Sequence, residues 1–144
     1  MDKKMYPDRG GQMFYESFAD PGADSELWLR PPAGDCWILF GVRFRFRTLL
    51  PVGNRYIYYR IDGGANEGGR YYCQIVHIAN TTKRYNFVWG YVGTEYEFDS
   101  NVVVFWPGDF LMTYAYHVRI NWLNAQLGDE IDNAYAYGLR WADI

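Results

Sequence analysis

The feature that most constrains the fold is a long run of β-forming residues in which apolar and charged side chains alternate. It covers residues 36–48 and directly follows a turn at residues 30–35 that contains two prolines and a glycine. A period of two places successive side chains on opposite faces of a β-strand. The two faces are formed by Val42, Phe44, Phe46 and Thr48 on one side and Arg43, Arg45 and Arg47 on the other. The pattern predicts a long strand with one buried face, and we call the three arginines the arginine ladder.

Further runs of β-forming residues, separated by turn residues, continue through the chain. Strands are predicted at residues 26–30, 36–48, 55–61, 71–79, 85–92, 95–106, 110–120 and 134–141. The glycines at 62–70 predict a flexible loop, and a helical turn within 121–132 is the one helix candidate. About eight strands joined by short turns predict an all-β antiparallel sandwich. We expect a jelly roll, and an immunoglobulin-like sandwich stays open because spacing does not determine strand order.

The chain divides into an N-terminal arm, residues 1–25, and a single β-sandwich domain, residues 26–144. The first segment is rich in Asp, Gly and Pro, and its apolar residues concentrate around Phe14, Tyr15 and Phe18. Such an arm is either a disordered tail or a segment docked on a neighbouring subunit, and the aromatic cluster favours docking. The remaining residues are numerous enough to bury a core without disulfide or metal cross-links.

The composition indicates a surface made for contact with other proteins. Aromatic residues make up 20% of the sequence, and 11 of its 14 basic residues are arginine. Protein interfaces favour arginine and aromatic side chains over lysine, although an aromatic core would account for part of the same count. The formal net charge of −3 argues against nucleic acid as a partner. No apolar run approaches membrane-spanning length, so we expect no membrane partner.

Turn residues and one aromatic residue give the chain a family likeness. The pattern consists of Pro-Pro-Ala-Gly at residues 31–34, Trp37, Gly-Asn-Arg at residues 53–55 and Pro-Gly-Asp at residues 107–109. In these positions the chain resembles small jelly-roll structural proteins of tailed bacteriophages. The resemblance implies a virion component, such as a capsid decoration or cement protein, a head fibre or a tail accessory protein. It also implies assembly in the host cytoplasm with other virion proteins, commonly as a homotrimer, and it brings no catalytic residues.

Residue types that perform catalysis are sparse. His77 and His117 lie in different predicted strands, and neither has a second histidine nearby with which to bind a metal. The sequence contains no motif that surrounds a serine or cysteine nucleophile. Glu95, Glu97 and Asp99 alternate along one predicted strand, which is typical of a solvated strand face rather than a glycosidase acid pair. We therefore expect a non-enzymatic protein without a cofactor or a bound metal.

The arginine ladder is the leading candidate for an assembly interface. Three like charges on one strand face repel one another unless acidic residues lie opposite them. Glu95 and Glu97 are the predicted partners, from the same chain or from another subunit, and a solvated face is the alternative. The predicted interface comprises Arg43, Arg45, Arg47, Phe14, Tyr15 and Phe18.

A second function stays open, which is carbohydrate or receptor recognition by a β-sandwich module of the phage fibre or adhesin type. Aromatic rings that are exposed on such a module stack on the faces of sugars. The candidate stacking residues are Tyr56, Tyr58, Tyr71, Tyr72 and Trp89.

Overall fold

A computed structural model describes residues 11–49, 52–63, 66–108 and 110–141. Within these ranges the chain forms eleven strands and no helix. The described residues therefore contain no helix long and apolar enough to cross a membrane. The strands are β1 (Gln12–Phe18), β2 (Leu27–Leu29), β3 (Cys36–Arg47), β4 (Tyr56–Gly63), β5 (Asn66–Tyr72), β6 (Thr82–Trp89), β7 (Tyr96–Phe98), β8 (Asn101–Trp106), β9 (Leu111–Met112), β10 (Tyr116–Leu123) and β11 (Glu130–Trp141). They form two sheets that pack against each other, which confirms the predicted all-β sandwich.

The two sheets differ in size. The larger has seven strands in the order β1-β11-β3-β6-β8-β7, with β9 pairing with β3, and the smaller has four in the order β2-β10-β4-β5. The strand pairs are antiparallel except β6 and β8, which run parallel. The chain passes from β6 to β7 at the edge of the sheet, and β7 forms an antiparallel hairpin with β8. β8 therefore returns between β7 and β6 and runs parallel to β6. The expected jelly-roll order is not confirmed by this arrangement.

Aromatic side chains from both sheets meet in the core of the sandwich. Phe44 and Phe46 of β3 are 1% and 0% exposed, so the apolar face of the ladder strand points into the sandwich as predicted. The ring centroid of Phe44 lies 5.3 Å from that of Tyr85 on β6, and Phe46 lies 4.9 Å from Trp122 on β10. Phe46 therefore joins the two sheets, and full burial of such a side chain contributes about 1.5–3 kcal/mol.

A buried ion pair joins the start of β4 to the turn that precedes β11. The side chains of Arg55 and Asp129 are both 0% exposed. Arg55 donates from Nε to Oδ2 of Asp129 at 2.9 Å and from Nη2 to Oδ1 at 3.0 Å. The backbone of Arg55 also exchanges two hydrogen bonds with the backbone of His77, at 2.8 and 2.9 Å. The pair thus connects three segments that are distant in the sequence.

Residues 12–18, which were expected to belong to an extended arm, form strand β1 at one edge of the larger sheet. β1 pairs antiparallel with β11 along its whole length. Phe14 is 8% exposed, and the ring centroids of Phe14 and Phe18 lie 5.3 and 6.1 Å from that of Trp37. The predicted arm is therefore not confirmed over these residues, because the segment docks on its own chain. Residues 1–10 lie outside the described residues.

The glycine-rich loop and the strand predicted after it differ from the structure. Within the residues predicted as a loop, β5 begins at Asn66 and pairs with β4, so Gly68 and Gly69 lie in an edge strand. The strand predicted at residues 71–79 does not form, because β5 ends at Tyr72 and residues 73–81 form an irregular connection. Glycine content lowered the expected strand propensity, but pairing with β4 provides the backbone hydrogen bonds that hold β5 extended.

Two later predictions also need correction. The strand predicted at residues 110–120 is interrupted between Met112 and Tyr116. Alternation along that strand predicts that Tyr114 and Tyr116 share the core face with Met112 and Val118, but they are 49% and 55% exposed. The helical turn predicted within 121–132 is absent, because β10 extends to Leu123 and β11 begins at Glu130. The interval between these strands has space only for a turn.

The two cysteines lie in the interior of the sandwich. Cys36 is 2% exposed and Cys73 is 1% exposed, and no disulfide joins them. Burial raises the pKa of the Cys73 thiol above its ordinary value. We infer that both cysteines act as small apolar core residues in the folded chain.

Candidate functional site

The outer face of the seven-stranded sheet carries the arginine ladder. β3 lies between β11 and β6, so each ladder residue has a cross-strand neighbour on either side. Direct cross-strand neighbours have Cβ atoms about 4.5–5.5 Å apart, close enough for their side chains to interact. The neighbours of Arg43, Arg45 and Arg47 on β11 are Tyr135, Asp132 and Glu130, in that order.

Two of the three ladder arginines form ion pairs within the chain. Arg45 donates from Nε to Oδ1 of Asp132 at 2.6 Å and from Nη2 to Oδ2 at 2.7 Å. Arg47 donates from Nη2 to Oε2 of Glu130 at 2.7 Å. The hydrogen bonds to Asp132 raise the pKa of Arg45 above its ordinary value. Asp132 is only 4% exposed, so its negative charge depends on this pairing.

The acidic partners predicted for the ladder, Glu95 and Glu97, lie elsewhere, and this expectation is corrected. Glu97 forms an ion pair with Lys83 at 2.9 Å. Glu95 accepts hydrogen bonds from the backbone N–H groups of Gln74 and Ile75, at 2.6 and 3.0 Å. The ladder's partners come instead from β11, which adjoins β3 in the sheet but lies more than 80 positions later in the chain. Spacing along the sequence does not reveal this adjacency.

Arg43 and Arg84 stand on the same face without an acidic partner. Arg43 is exposed between Tyr135 of β11 and Asn86 of β6. Arg84 is exposed on β6, directly across from Arg45. Among the described residues, no carboxylate lies within ion-pair distance of either guanidinium. Two positive charges on this face are therefore not neutralised by the described part of the chain.

A β-bulge shapes the surface beside these two arginines. The pairing register of β3 and β11 shifts between Asp132 and Tyr135, and Asn133 within the bulge has a φ of 52°. An extra residue of this kind bends the strand and redirects its side chains. The result is a shallow depression of about 270 Å³, which we call the basic depression. It is bordered by Tyr15, Arg43, Phe44, Arg45, Arg84, Asn133 and Tyr135.

Of the three aromatic residues in the predicted interface, Tyr15 alone lies on this exposed face. It is 68% exposed, and its ring stacks on that of Tyr135 with centroids 5.4 Å apart and planes 18° apart. Phe14 and Phe18 point to the opposite side of β1 and pack against Trp37. The structure therefore brings Tyr15 together with the ladder, buries Phe14 in the core and packs the partly buried Phe18 against that core.

Three carboxylates lie beside the basic depression. Asp20, Glu130 and Asp132 each offer an oxygen, and these oxygens lie within 4.8 Å of one another, close enough to hold a cation. Arg45 and Arg47 already donate to two of them, and Asp20 accepts a backbone N–H of the bulge at 3.1 Å. The guanidinium groups thus supply the positive charge that a metal ion would bring.

The five aromatic residues predicted to stack on glycans do not form one exposed platform. Tyr71 packs against the core, and burial raises its pKa to about 12. Tyr58 is 5% exposed and offers no free ring face, whereas Tyr56 is partly buried and borders a shallow depression together with Tyr72. Trp89 is 48% exposed but belongs to the larger sheet. Tyr72, at 37% exposure, is the member best placed for stacking on the smaller sheet.

A cation–π cluster on the outer face of the smaller sheet was missed by the sequence analysis. Trp28 is 39% exposed, and the guanidinium carbon of Arg119 lies 3.5 Å from its ring centroid. The ring of His117 stacks on Trp28 with centroids 5.2 Å apart, and Arg119 Nε lies 2.6 Å from a carboxylate oxygen of Asp62. The available signal was the position of Trp28 between two leucines, which predicts an outward-facing ring on a short strand.

The two histidines are buried and lie apart from each other. His77 is 0% exposed, with Nδ1 3.0 Å from the Tyr85 hydroxyl and Nε2 3.1 Å from the Thr81 carbonyl oxygen. Burial lowers the pKa of His77 to about 4. His117 is 3% exposed, and burial, assisted by the charge of Arg30, also lowers its pKa. Neither histidine belongs to a group of three potential metal ligands in the described ranges.

Comparisons of the chain with protein families, with curated proteins and with solved structures find no significant match.

Proposed function

We propose that this chain is a non-enzymatic structural protein that assembles with other protein subunits through the outer face of its seven-stranded sheet. The observation that carries the proposal is the pair of exposed arginines, Arg43 and Arg84, that have no acidic partner and lie beside the exposed ring of Tyr15. Arginine and tyrosine side chains contribute disproportionately to the free energy of association at protein interfaces. This face therefore offers the residue types on which protein association most often depends.

Charge distribution supports contact over a merely solvated face. The chain is acidic overall, with a formal net charge of −3, so Arg43 and Arg84 are not part of a generally basic surface. The other two ladder arginines are held by acids of β11. Like charges that remain unpaired on neighbouring strands are unfavourable in the isolated chain. An acidic group from another subunit would relieve that repulsion.

The proposed setting is a virion, in which the chain acts as a capsid decoration, cement or accessory protein. The support is the resemblance of its turn residues to phage structural proteins, and the all-β fold class agrees with that resemblance, although the jelly-roll order of viral capsid proteins is not confirmed. Its proposed partners are other virion proteins and further copies of the same chain, with a trimer as the favoured oligomer.

Carbohydrate or receptor binding is the second candidate function. Trp28 and Tyr72 are 39% and 37% exposed and lie on opposite edge strands of the smaller sheet. Strand spacing of about 4.8 Å places β2 and β5 roughly 14 Å apart, a span that accommodates a short oligosaccharide. In the cation–π cluster around Trp28, Arg119 is paired with Glu26 and Asp62. Arg30, whose guanidinium carbon lies 5.6 Å from the Trp28 ring centroid, has no carboxylate within ion-pair distance among the described residues, so this face also carries an unpaired charge.

Two matched double variants separate these functions. Tyr15→Ser with Arg43→Ser removes one ring and one charge from the larger sheet, and Arg70→Ser with Tyr72→Ser removes the same groups from the smaller sheet. The assay measures the oligomeric state by light scattering and co-sedimentation with assembled virus particles. We expect the first variant to lose at least about tenfold in particle-bound fraction and the second to bind like the unchanged chain.

Normal assembly of the first variant would contradict the proposed function. Carbohydrate binding would be favoured instead if only the second variant lost particle binding and the unchanged chain bound glycans on an array. Replacement of the whole ladder by serine is a poorer test. Without Arg45, the nearly buried charge of Asp132 loses its partner, so a folding defect would imitate an assembly defect.

A further inference from the structure

The basic depression has the charge and size of a site for a small anionic group. Its arginines come from two neighbouring strands, Arg43 and Arg45 from β3 and Arg84 from β6. Its volume of about 270 Å³ has space for only a few side chains. A planar guanidinium group binds carboxylates and phosphates through two parallel hydrogen bonds. The depression therefore matches a ligand that bears one or two such anionic groups.

We propose that the basic depression binds a short acidic peptide segment of a partner protein, with a carboxylate held between Arg43 and Arg84. The inference rests on the proposed function and adds the chemistry of the partner.

The positions of the arginines explain why a carboxylate fits between these two. Arg84 lies directly across from Arg45, and Arg43 lies two residues before Arg45, so Arg43 and Arg84 are diagonal neighbours. Diagonal pairs in an antiparallel sheet lie about 7–8 Å apart at Cα, within reach of long side chains that converge on one ligand. Arg45 turns instead towards Asp132 on the other side of β3. It therefore leaves the β6 side of the depression to Arg43 and Arg84.

The tyrosine pair adds an apolar wall to the same site. Tyr15 and Tyr135 stack on each other, and Tyr15 is 68% exposed. A peptide that places a carboxylate between the arginines would cover part of this exposed ring with its backbone or a neighbouring side chain. Tyrosine is suited to this position because it offers a rigid ring together with a hydroxyl group that can hydrogen-bond to a peptide.

The adjacent carboxylates favour a short acidic segment over a long polyanion. Asp20, Glu130 and Asp132 lie beside the depression on its β11 side. Arg45 and Arg47 offset two of these three charges, so a nucleic acid that extended across this face would meet one net negative charge here instead of further positive charge. A peptide avoids this repulsion if its acidic residues reach only Arg43 and Arg84 and neutral or basic residues lie near Asp20.

The experiment titrates the ¹⁵N-labelled full chain with a short probe peptide, acetyl-Gly-Glu-Glu-Gly-amide, and follows the arginine Nε–H signals by NMR. Its matched control is acetyl-Gly-Gln-Gln-Gly-amide, and inorganic phosphate and a single-stranded DNA oligonucleotide form two further arms. We expect saturable shifts at Arg43 and Arg84 with the acidic peptide only. Arg43→Ser and Arg84→Ser should each raise the Kd at least about fivefold, and Arg70→Ser, on the opposite sheet, should leave it unchanged.

Several results would overturn the inference. Equal shifts with the glutamine peptide would remove the need for a carboxylate, and equal shifts with phosphate would indicate an adventitious ion only. Tighter, Arg43-dependent binding of DNA would assign the site to nucleic acid. If the acidic peptide does not bind but the Tyr15, Arg43 double variant still fails to assemble, the partner chemistry is wrong and the proposed function stands. If that variant assembles normally, the proposed function itself fails.

Discussion

Replacing Asp129 by asparagine should destabilise the sandwich strongly, because it removes the carboxylate charge that faces the buried guanidinium of Arg55. Both side chains are 0% exposed, so water cannot replace the lost carboxylate. The substitution preserves size and shape, and an amide oxygen can still accept the backbone N–H of Gln126, which now donates to Asp129 at 2.9 Å. The main changes are therefore the loss of one negative charge in the interior and of the hydrogen bond from Arg55 Nη2, which would face the amide NH2 group.

The expected magnitude follows from this geometry. Breaking a buried, hydrogen-bonded ion pair by removal of one member costs about 3–5 kcal/mol in the free energy of unfolding. In a domain of this size, a loss of about 3 kcal/mol lowers Tm by roughly 10 °C. Replacing both residues by leucine should cost less than Asp129→Asn, because no charge then remains in the interior.

The measurement is urea unfolding followed by tryptophan fluorescence, with Tm from a thermal scan. The matched control is Glu67→Gln, which removes the carboxylate from the ion pair with Arg70 at the edge strand β5. There the side chains are 34% and 32% exposed. Solvated pairs contribute little to stability, so the control should unfold almost like the unchanged chain. If Asp129→Asn loses no more stability than Glu67→Gln, the reasoning about the buried pair is refuted.

Three further predictions concern the folded state. Because burial lowers the pKa of His77 from 6.5 to about 4, the unfolded chain takes up its proton first. The contribution of His77 to stability should be constant well above pH 6.5 and fall by up to about 3 kcal/mol towards pH 4; chemical unfolding at several pH values should show this loss, and His77→Gln should reduce it to the part contributed by other groups such as His117, whose pKa is also lowered. Gly138→Ala would place Cβ 2.0 Å from a carbonyl oxygen of β3, so it should cost at least about 2 kcal/mol in urea unfolding. Gly69→Ala meets nothing within 4 Å and should change stability by less than about 0.5 kcal/mol; equal effects would contradict the packing. In urea unfolding, Phe14→Ala should lower the free energy of unfolding by about 3 kcal/mol and Tyr15→Ala should change it very little. If residues 12–18 were an arm that does not contribute to the fold, neither substitution would change stability.

The fold class could be predicted because alternation is a local property of the sequence. Phe44 and Phe46 are buried and the intervening Arg45 faces outward, as the period of two requires. Turn residues also marked the start of β3 at Cys36 and the end of β8 at Trp106. The strand order could not be predicted, because the parallel pairing of β6 with β8 within the larger sheet depends on which strands become neighbours and not on any short-range pattern.

The candidate site was predicted only in part, for the same physical reason. The ladder and Tyr15 were identified from one strand and one aromatic cluster, but their neighbours come from β11, at the far end of the chain. Arg84 could not be identified from its own strand, because only the pairing of β6 with β3 places it beside Arg45 and Arg43. The bulge at Asn133, which shapes the depression, is likewise a consequence of sheet pairing.

The central claim is that the outer face of the seven-stranded sheet is covered by another protein in the assembled state. The most direct measurement is photo-crosslinking from a benzoylphenylalanine placed at Tyr15, with the same group placed at Tyr72 on the opposite sheet as the comparison. The account predicts crosslinks to another protein subunit from the first position and none from the second. Crosslinks from position 72 with none from position 15 would contradict it.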